Sequence, residues 1–199
     1  FARRMLWEAY TRQLARRPVC VKACTSCTTF TLTDLVAQAR ECWDDSGHAS
    51  FDPARTAQKG SFGLLWLGPL NHVFWGRTVF GLEYWFPGRS WSAVFTRVAV
   101  DQATNMPLNM VMFLAWPSLL ARDIEGAISN VRKAFWPSFT FALSIWPFVH
   151  PISFRYVPLE HRLLVLNICS FFVFSYATLV SDGSAQNLRE PTRTVECLE

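Results

Sequence analysis

Long uncharged runs alternate with short polar segments along this chain. Residues 134–154 contain no Asp, Glu, Lys or Arg, and further runs of this kind cover 60–76, 102–121 and 163–181. A helix that crosses the roughly 30 Å hydrocarbon core of a bilayer needs about 20 predominantly apolar residues. Because the runs have about this length, the pattern predicts an all-α, multi-pass transmembrane helical bundle.

Four to five membrane segments follow from this pattern. They cover 19–39, 54–80, 91–120, a stretch within 135–162 that prolines interrupt, and 159–181. The first of them is the least apolar, but it is rich in small residues. Small residues at spacings of three and four let helix backbones approach closely in a membrane, so this segment is expected to pack centrally.

Prolines mark the stretch 135–162, with Pro137, Pro147 and Pro151 inside it and Pro158 just beyond its uncharged part. A proline inside a helix removes one backbone hydrogen bond and clashes with the carbonyl of residue i−4. In a bilayer, the freed carbonyl groups need partners in neighbouring helices, side chains or water. The stretch is therefore expected to be a kinked membrane segment that packs against the others.

Two charged segments have helical periodicity. In 3–17, apolar side chains recur at spacings of three and four among five arginines, which predicts an amphipathic helix. Such a helix can lie in the membrane interface, or it can pack on the bundle. Residues 122–133 predict a second interfacial helix.

The remaining polar segments are expected to connect helices. Residues 40–59 predict a loop, in which Asp52-Pro53 suits a helix start with Asp as N-cap and Pro in the first turn. Residues 83–90 predict a turn.

The C-terminal part of the chain changes character after the last apolar run. Asp182-Gly183-Ser184 is expected to end the last helix. We therefore expect a single membrane-embedded domain of residues 1–181, followed by a polar tail of residues 182–199.

Composition supports a membrane protein and limits its partners. Hydrophobic residues make up 51% of the chain and charged residues 17%, against about 25% charged in ordinary soluble domains. The net charge of +4 is mild, and no cluster of Lys and Arg interleaves with aromatic residues as a nucleic-acid groove requires. We expect membrane lipids and other membrane protein subunits as partners, and no nucleic acid.

Polar side chains inside the apolar segments are the candidate functional residues. They are Asp34, His72, Asp101, Gln102 and His150. Ionisable groups at membrane depth are costly, so they face the interior of a bundle or a water-filled cavity. They predict either the lining of a pore for small solutes or a network of hydrogen bonds between helices. Arg97 and Asp101 lie four residues apart and are expected to pair on one helix face.

Catalytic and metal-binding patterns are not evident. The sequence has no catalytic triad and no glycine-rich phosphate loop. Cys24-x-x-Cys27 resembles half of a metal or redox motif, but a zinc site needs four ligands and no second pair follows. We therefore expect no enzyme, no metal and no cofactor.

Short motifs are spread over residues 6–181. The N-terminal motifs are Leu6-Trp7-x-x-Tyr10, Lys22-Ala23-x-Thr25-Ser26, Asp34-x-x-Ala37-Gln38 and Asp52-x-x-Arg55-Thr56. The later motifs are Gly68-Pro69-x-x-His72, Asp101-Gln102-x-x-x-x-Pro107, Phe135-Trp136-Pro137, Trp146-Pro147, Phe154 and Val157-Pro158-x-x-x-Arg162. In their order and spacing, these motifs together resemble the Mpv17/PMP22 family of small organellar membrane proteins, and the combination makes the resemblance specific.

The resemblance implies a bundle usually described with four membrane-spanning helices. It implies a location in the mitochondrial inner membrane, with peroxisomal and plastid membranes as alternatives. Some members resemble weakly selective pores for small solutes and metabolites, and none implies a defined enzyme. The motif residues Gly68, Pro69, Trp136, Pro137, Trp146, Pro147, Phe154, Pro158 and Arg162 are expected to have structural roles.

Departures from the family pattern leave a second function open. Cys27 and Thr33 stand where the family usually has Gly, and Tyr176 and Ala177 replace its Trp-Asn pair. His150 and Ser153 stand where it usually has Gln and Asn. The replaced amides favour a non-conducting accessory subunit of a larger organellar complex, such as the respiratory chain or ATP synthase.

Overall fold

The computed structural model describes residues 2–44, 51–76 and 79–196, with side chains for residues 5, 7–43, 51–76 and 79–177. These residues form helices and turns, and no strand occurs among them, which confirms the all-α class. The α-helices are α1 (Ala2–Arg16), α2 (Pro18–Asp44), α3 (Pro53–Phe62), α4 (Gly68–Phe74), α5 (Leu82–Trp85), α6 (Trp91–Val100), α7 (Met106–Leu120), α8 (Ile124–Leu143), α9 (Trp146–Tyr156) and α10 (Leu159–Glu196).

Side-chain caps fix the start of three helices. The Asp52 carboxylate accepts from the backbone N–H groups of Ala54 and Arg55 at the start of α3. Ser90 and Asp123 cap α6 and α8 in the same way. An N-cap satisfies backbone donors that have no partner within the helix, and Pro53 occupies a first-turn position where no donor is needed. The predicted helix start at Asp52-Pro53 is confirmed.

Two π-helical turns join neighbouring helices into longer rods. The turn Gly63–Leu67 connects α3 to α4, and the turn Asp101–Asn105 connects α6 to α7, with helical backbone angles at each junction. Each turn is followed by a proline, Pro69 or Pro107, at the second position of the next helix. A proline cannot donate and clashes with the carbonyl of residue i−4. The wider π turn makes room for the proline ring without ending the rod.

Three predicted boundaries in the first half of the chain need correction. The helix of the segment predicted at 54–80 ends at Phe74, because the Gly76 N–H bonds to the Val73 carbonyl three residues back, which breaks the four-residue spacing. The loop predicted at 40–59 is shorter, since α2 continues to Asp44 and α3 begins at Pro53. The turn predicted at 83–90 contains the short helix α5 and a positive φ of 94° at Gly88. The helix predicted at 3–17 and the segment predicted at 91–120 are confirmed as helical.

The proline-rich stretch does not break at every proline. Pro137 lies inside α8 and Pro151 inside α9, and the chain turns between them at Ser144 and Ile145. Residues 122–133 therefore do not form a separate helix, because α8 runs on through Pro137. Pro147 marks the break, because it lies in the first turn of α9, where a missing N–H is tolerated.

The last helix is longer than predicted. It passes through Asp182-Gly183-Ser184 and reaches Glu196, so the predicted end at these residues is wrong. A single glycine costs a helix only about 1 kcal/mol and removes no hydrogen-bond donor.

Helix α2 lies at the centre of the packing, against α10 on one side and the α3–α4 rod on another. Four phenylalanines from α2, α3, α7 and α10 meet beside it, with ring centroids 4.7 to 5.6 Å apart between neighbouring pairs such as Phe113 and Phe174. Helix α8 packs between α7 and α10, and α6 packs against α9. In the described part of the chain, no helix taken singly combines the length and the apolar character that a membrane crossing requires.

Candidate polar site in the bundle

A buried polar cluster lies between α4, α7 and α9, and we call it the central polar cluster. Its members are Trp66, Asn71, Trp75, Asp101, Asn105, Asn109 and His150. The spacing of four between Asp101, Asn105 and Asn109 places the three side chains on one face of the α6–α7 rod. The π turn Asp101–Asn105 lies at the start of this row.

Hydrogen bonds run along this row from one rod to the other. Asn109 donates to Asn105 at 2.9 Å, and Asn105 donates to Asn71 at 3.1 Å and to Asp101 at 3.0 Å. Two indole N–H groups approach from the α3–α4 rod and its end. Trp66 donates to Asn109 at 3.1 Å, and Trp75 donates to Asp101 at 2.7 Å.

His150 approaches the other oxygen of Asp101. Its Nδ1 lies 3.2 Å from Asp101 Oδ2, although the two groups are not aligned for a hydrogen bond. Gln102 donates a long hydrogen bond of 3.4 Å to the same oxygen. Both Asp101 and His150 are almost fully buried. Asp101 is therefore the point at which side chains from three parts of the fold meet.

A cavity of about 40 Å³ opens beside this cluster. Its polar wall includes every member of the central polar cluster except Trp66, together with Ser170 of α10, and its apolar wall includes Met106, Met110 and Phe174. A position for one water needs about 10–15 Å³, so the space fits about two or three water-sized groups. The polar wall offers amide, carboxylate, imidazole and hydroxyl groups to whatever enters.

Asp34 belongs to a second cluster, which lies between α2 and the start of α3 and which we call the Asp34 cluster. Its carboxylate accepts from Arg55 at 2.9 Å, from Gln38 at 2.7 Å and from Thr56 at 2.7 Å. Arg55 also makes a two-pronged contact with Glu41 at 2.7 and 3.0 Å. Asp34 is fully buried, whereas Arg55 and Glu41 are about one-fifth exposed. The cluster therefore connects α2 to the first turn of α3.

His72 lies apart from both clusters. Its Nδ1 is 3.3 Å from the Lys22 ammonium of α2, and Lys22 is buried. The sequence places Lys22 in a family motif but not among the candidate functional residues, because one lysine near the end of an apolar segment usually reaches towards the membrane surface.

A third cluster holds two buried arginines around Phe154, and we call it the paired-arginine cluster. Arg97 binds Glu83 and donates to the Gly88 carbonyl at 2.7 Å, and Arg162 lies 3.7 Å from the same Glu83 carboxylate. The two guanidinium groups lie 5.5 and 4.8 Å from the Phe154 ring centroid, within range of cation–π attraction. The predicted pairing of Arg97 with Asp101 is wrong. Arg97 binds Glu83, and Asp101 accepts hydrogen bonds from the Trp75 indole and the Asn105 amide.

The five predicted polar residues therefore do not form one surface. Asp101, Gln102 and His150 come together, while Asp34 and His72 lie in separate contacts. The prediction did not include Asn71, Asn105 and Asn109. The four-residue spacing from Asp101 to Asn109 is the signal that could have found the last two.

The predicted structural motif residues have different environments. Trp146 packs edge-on against His150 at 4.9 Å, and Phe154 links the central polar cluster to the paired-arginine cluster. Gly68 lies against the backbone of α2. Trp136, Pro137 and Pro158 are exposed.

Comparisons with known proteins agree with this arrangement of motifs. The sequence model of the Mpv17 / PMP22 family matches residues 118–177. Protein sym1 of Aspergillus oryzae is 30% identical over 89% of this chain and 99% of its own length. Protein SYM1 of Saccharomyces cerevisiae is 28% identical over 86% of this chain and 87% of its own. Peroxisomal membrane protein 2 of Bos taurus is 26% identical over 84% of this chain and 85% of its own. No solved structure matches the chain significantly.

The chain is thus a small all-helical protein with buried polar clusters, and one of its relatives is named as a membrane protein. The chain belongs to the Mpv17/PMP22 family. None of the three relatives is named as an enzyme.

Proposed function

We propose that this chain is a multi-pass integral membrane protein of an organelle, through which small polar solutes cross the membrane beside the central polar cluster. The observation that carries the proposal is the cavity at this cluster. It lies inside the bundle, and it presents Asp101, His150 and the row of asparagines to its interior.

The distribution of polar and apolar side chains supports a membrane location. Asp34, Arg97 and Asp101 are among the most buried residues, whereas Phe148, Ile168 and Phe172 are each at least 60% exposed. A protein surrounded by water usually buries its large apolar side chains and exposes its charges. The inverse arrangement suits a bundle whose outer surface contacts lipid.

The lengths of the joined helices also support membrane crossings. The α3–α4 rod spans residues 53–74 and the α6–α7 rod spans residues 91–120. At 1.5 Å per residue, these rods are about 33 and 45 Å long. Each is long enough for a hydrocarbon core of about 30 Å.

The candidate residues take different roles in this proposal. Asp101 and His150 line the path together with the asparagines, and Gln102 supports it by donating to Asp101. Asp34 has three donors around one carboxylate, so we assign it to holding α2 and α3 together. His72 is partly exposed and faces Lys22, which suits an entrance to the path.

The organelle proposed is the mitochondrion, in its inner membrane, with the peroxisomal and plastid membranes as alternatives. The name of the bovine relative supports the peroxisomal alternative. Membrane lipids and other membrane subunits are the proposed partners.

Conductance measurements on the reconstituted protein test the proposed path. In planar bilayers, we expect the wild-type protein to conduct above background. Asp101→Asn removes the carboxylate charge and is expected to shift the reversal potential towards anions, because electrostatic attraction for cations is lost. Asn109→Leu replaces a polar wall group with an apolar one and is expected to lower the unitary conductance.

Leu65→Ala is the control, because Leu65 lies beside Trp66 on the α3–α4 rod but is 63% exposed and does not line the cavity. It should leave both quantities unchanged. The absence of wild-type conductance would contradict the proposal, and so would unchanged conductance in Asp101→Asn, Asn109→Leu and His72→Ala.

A second candidate function is that of a non-conducting accessory subunit of a larger membrane complex. The hydroxyls of Ser138 and Ser153 are buried without a hydrogen-bonding partner in the described structure. Ser153 occupies a position where the family usually has an amide, so this part of the interior has fewer polar contacts to offer a solute. Co-migration of the protein with a large complex on native gels would support this alternative, and migration as a small oligomer would oppose it.

A further inference from the structure

The Arg155 guanidinium meets two aromatic side chains and the backbone of Arg89 where α6 begins and α9 ends. We call the set Arg89, Trp91, Arg155 and Tyr156 the arginine–aromatic patch. The Arg155 guanidinium lies 4.6 Å from the centroid of the Trp91 ring and 5.9 Å from that of Tyr156, and it donates to the Arg89 carbonyl. These contacts hold the cation in place while Trp91 and Tyr156 remain 47% and 64% exposed.

The start of α6 adds a second source of positive potential. Ser90 caps this helix, which begins at Trp91 and continues through the π turn as a long rod. The unpaired N–H groups and the aligned peptide dipoles make a helix N-terminus favourable for negative charge. Arg89 is exposed directly before this terminus. The patch therefore combines two guanidinium groups with the positive end of a helix.

The neighbouring paired-arginine cluster does not neutralise this charge. There, Arg97 and Arg162 share the single carboxylate of Glu83. The Nε of Arg162 is buried and has no hydrogen-bond partner in the described part of the chain. One acidic group thus faces two buried cations, and this end of the bundle keeps an excess of positive charge below the patch.

We propose that the arginine–aromatic patch binds the phosphate headgroup of an anionic membrane phospholipid. The phosphate would lie between the guanidinium groups of Arg89 and Arg155, which match phosphate oxygens in geometry as well as in charge. Trp91 and Tyr156 would contact the glycerol and upper acyl region, because such rings are favoured at membrane–water interfaces. Free phosphate would gain nothing from these exposed rings, so the surface favours the lipid.

The inference rests on the membrane location proposed above, but it does not require conduction. A bundle that conducts nothing could still bind this lipid, and a conducting bundle could lack the site. Lipid binding is therefore measured separately from solute flux.

Native mass spectrometry of the purified full chain in nonionic detergent tests the site. Phosphatidylglycerol and phosphatidylcholine with the same acyl chains are titrated separately, and we expect tighter binding of phosphatidylglycerol. Each arginine near an anionic headgroup contributes enough that its removal weakens binding about five-fold. Arg155→Gln and Arg89→Gln are therefore each expected to lower phosphatidylglycerol affinity by about this factor.

The variants are chosen so that folding and binding can be separated. Arg89 contacts Arg155 through its backbone carbonyl, so Arg89→Gln keeps the Arg155 contact even if Arg155→Gln disturbs the fold. Arg132→Gln removes an exposed arginine of α8 outside the patch and should leave affinity unchanged.

Three outcomes would overturn the proposal. Equal binding of the two lipids would show no headgroup recognition. Competition by millimolar inorganic phosphate would show a site for the free anion instead. An equal loss of affinity in Arg132→Gln would show general surface attraction in place of a site.

Discussion

Asp34→Ala is expected to destabilise the folded protein by about 3 kcal/mol or more. The substitution removes a buried carboxylate that accepts from Gln38, Arg55 and Thr56, and with it the ion pair between Asp34 and Arg55. For a chain of this size, such a loss corresponds to a fall in the unfolding midpoint of about 6–12 °C. Thermal unfolding of the purified protein in detergent measures it.

Glu41→Ala provides a matched control for this prediction. Glu41 binds the same arginine as Asp34, but its side chain is 20% exposed, whereas that of Asp34 is fully buried. Exposed ion pairs usually contribute about 1 kcal/mol or less, so its midpoint should fall by only about 2–4 °C. Equal shifts for the two variants would contradict the account, because burial would then not determine the contribution of the carboxylate.

Gly63→Ala and Gly68→Ala are expected to separate α2 from the α3–α4 rod. A Cβ atom at Gly63 would lie 2.5 Å from the Ser26 carbonyl oxygen, and one at Gly68 would lie 2.5 Å from the Ala23 Cα. Both obstacles are backbone atoms, so the helices must move apart. Overpacking of this kind costs about 1–3 kcal/mol per site, against a gain in helix propensity of about 1 kcal/mol per site, so the double variant is expected to lose up to about 4 kcal/mol of stability.

Gly60→Ala is the control on the same rod, because its added Cβ meets a flexible side chain, whereas those at Gly63 and Gly68 meet backbone atoms. The nearest atom to its added Cβ is the Thr31 hydroxyl, at 2.6 Å, and this side chain can rotate away. We therefore expect the Gly63→Ala/Gly68→Ala double variant to unfold at a clearly lower temperature than Gly60→Ala. A double variant as stable as Gly60→Ala would show that the close approach of the backbones is not required.

Local signals in the sequence predict much of the helical structure. Asp52-Pro53 predicts the start of α3 because both the cap and the proline act within one turn, and the structure has this start. The small residues of the first segment predict close packing, and α2 does receive Gly63 and Gly68 against its backbone. Helix ends are less predictable, because Pro137 and Gly183 lie within helices that continue past them.

The polar contacts depend on distances that the sequence does not contain. Arg97 and Asp101 are four residues apart and suit a local pair, but Glu83 approaches Arg97 from α5 and Trp75 approaches Asp101 from the end of α4. Likewise, the contact between Asp101 and His150 joins residues 49 positions apart in the printed numbering. Only the folded arrangement of the rods decides which of the polar side chains meet.

The central claim is that solutes cross beside the central polar cluster while the outer surface of the bundle contacts lipid, and thiol labelling of two positions on α10 in proteoliposomes tests it most directly. In a variant without the six native cysteines, Ser170→Cys lines the cavity, while Ile168→Cys lies on the surface with 60% exposure. A small charged thiol reagent reacts with thiolates in water and not with thiols in hydrocarbon. We expect Ser170→Cys to be labelled and Ile168→Cys to be protected. Labelling of Ile168→Cys with protection of Ser170→Cys would contradict the account.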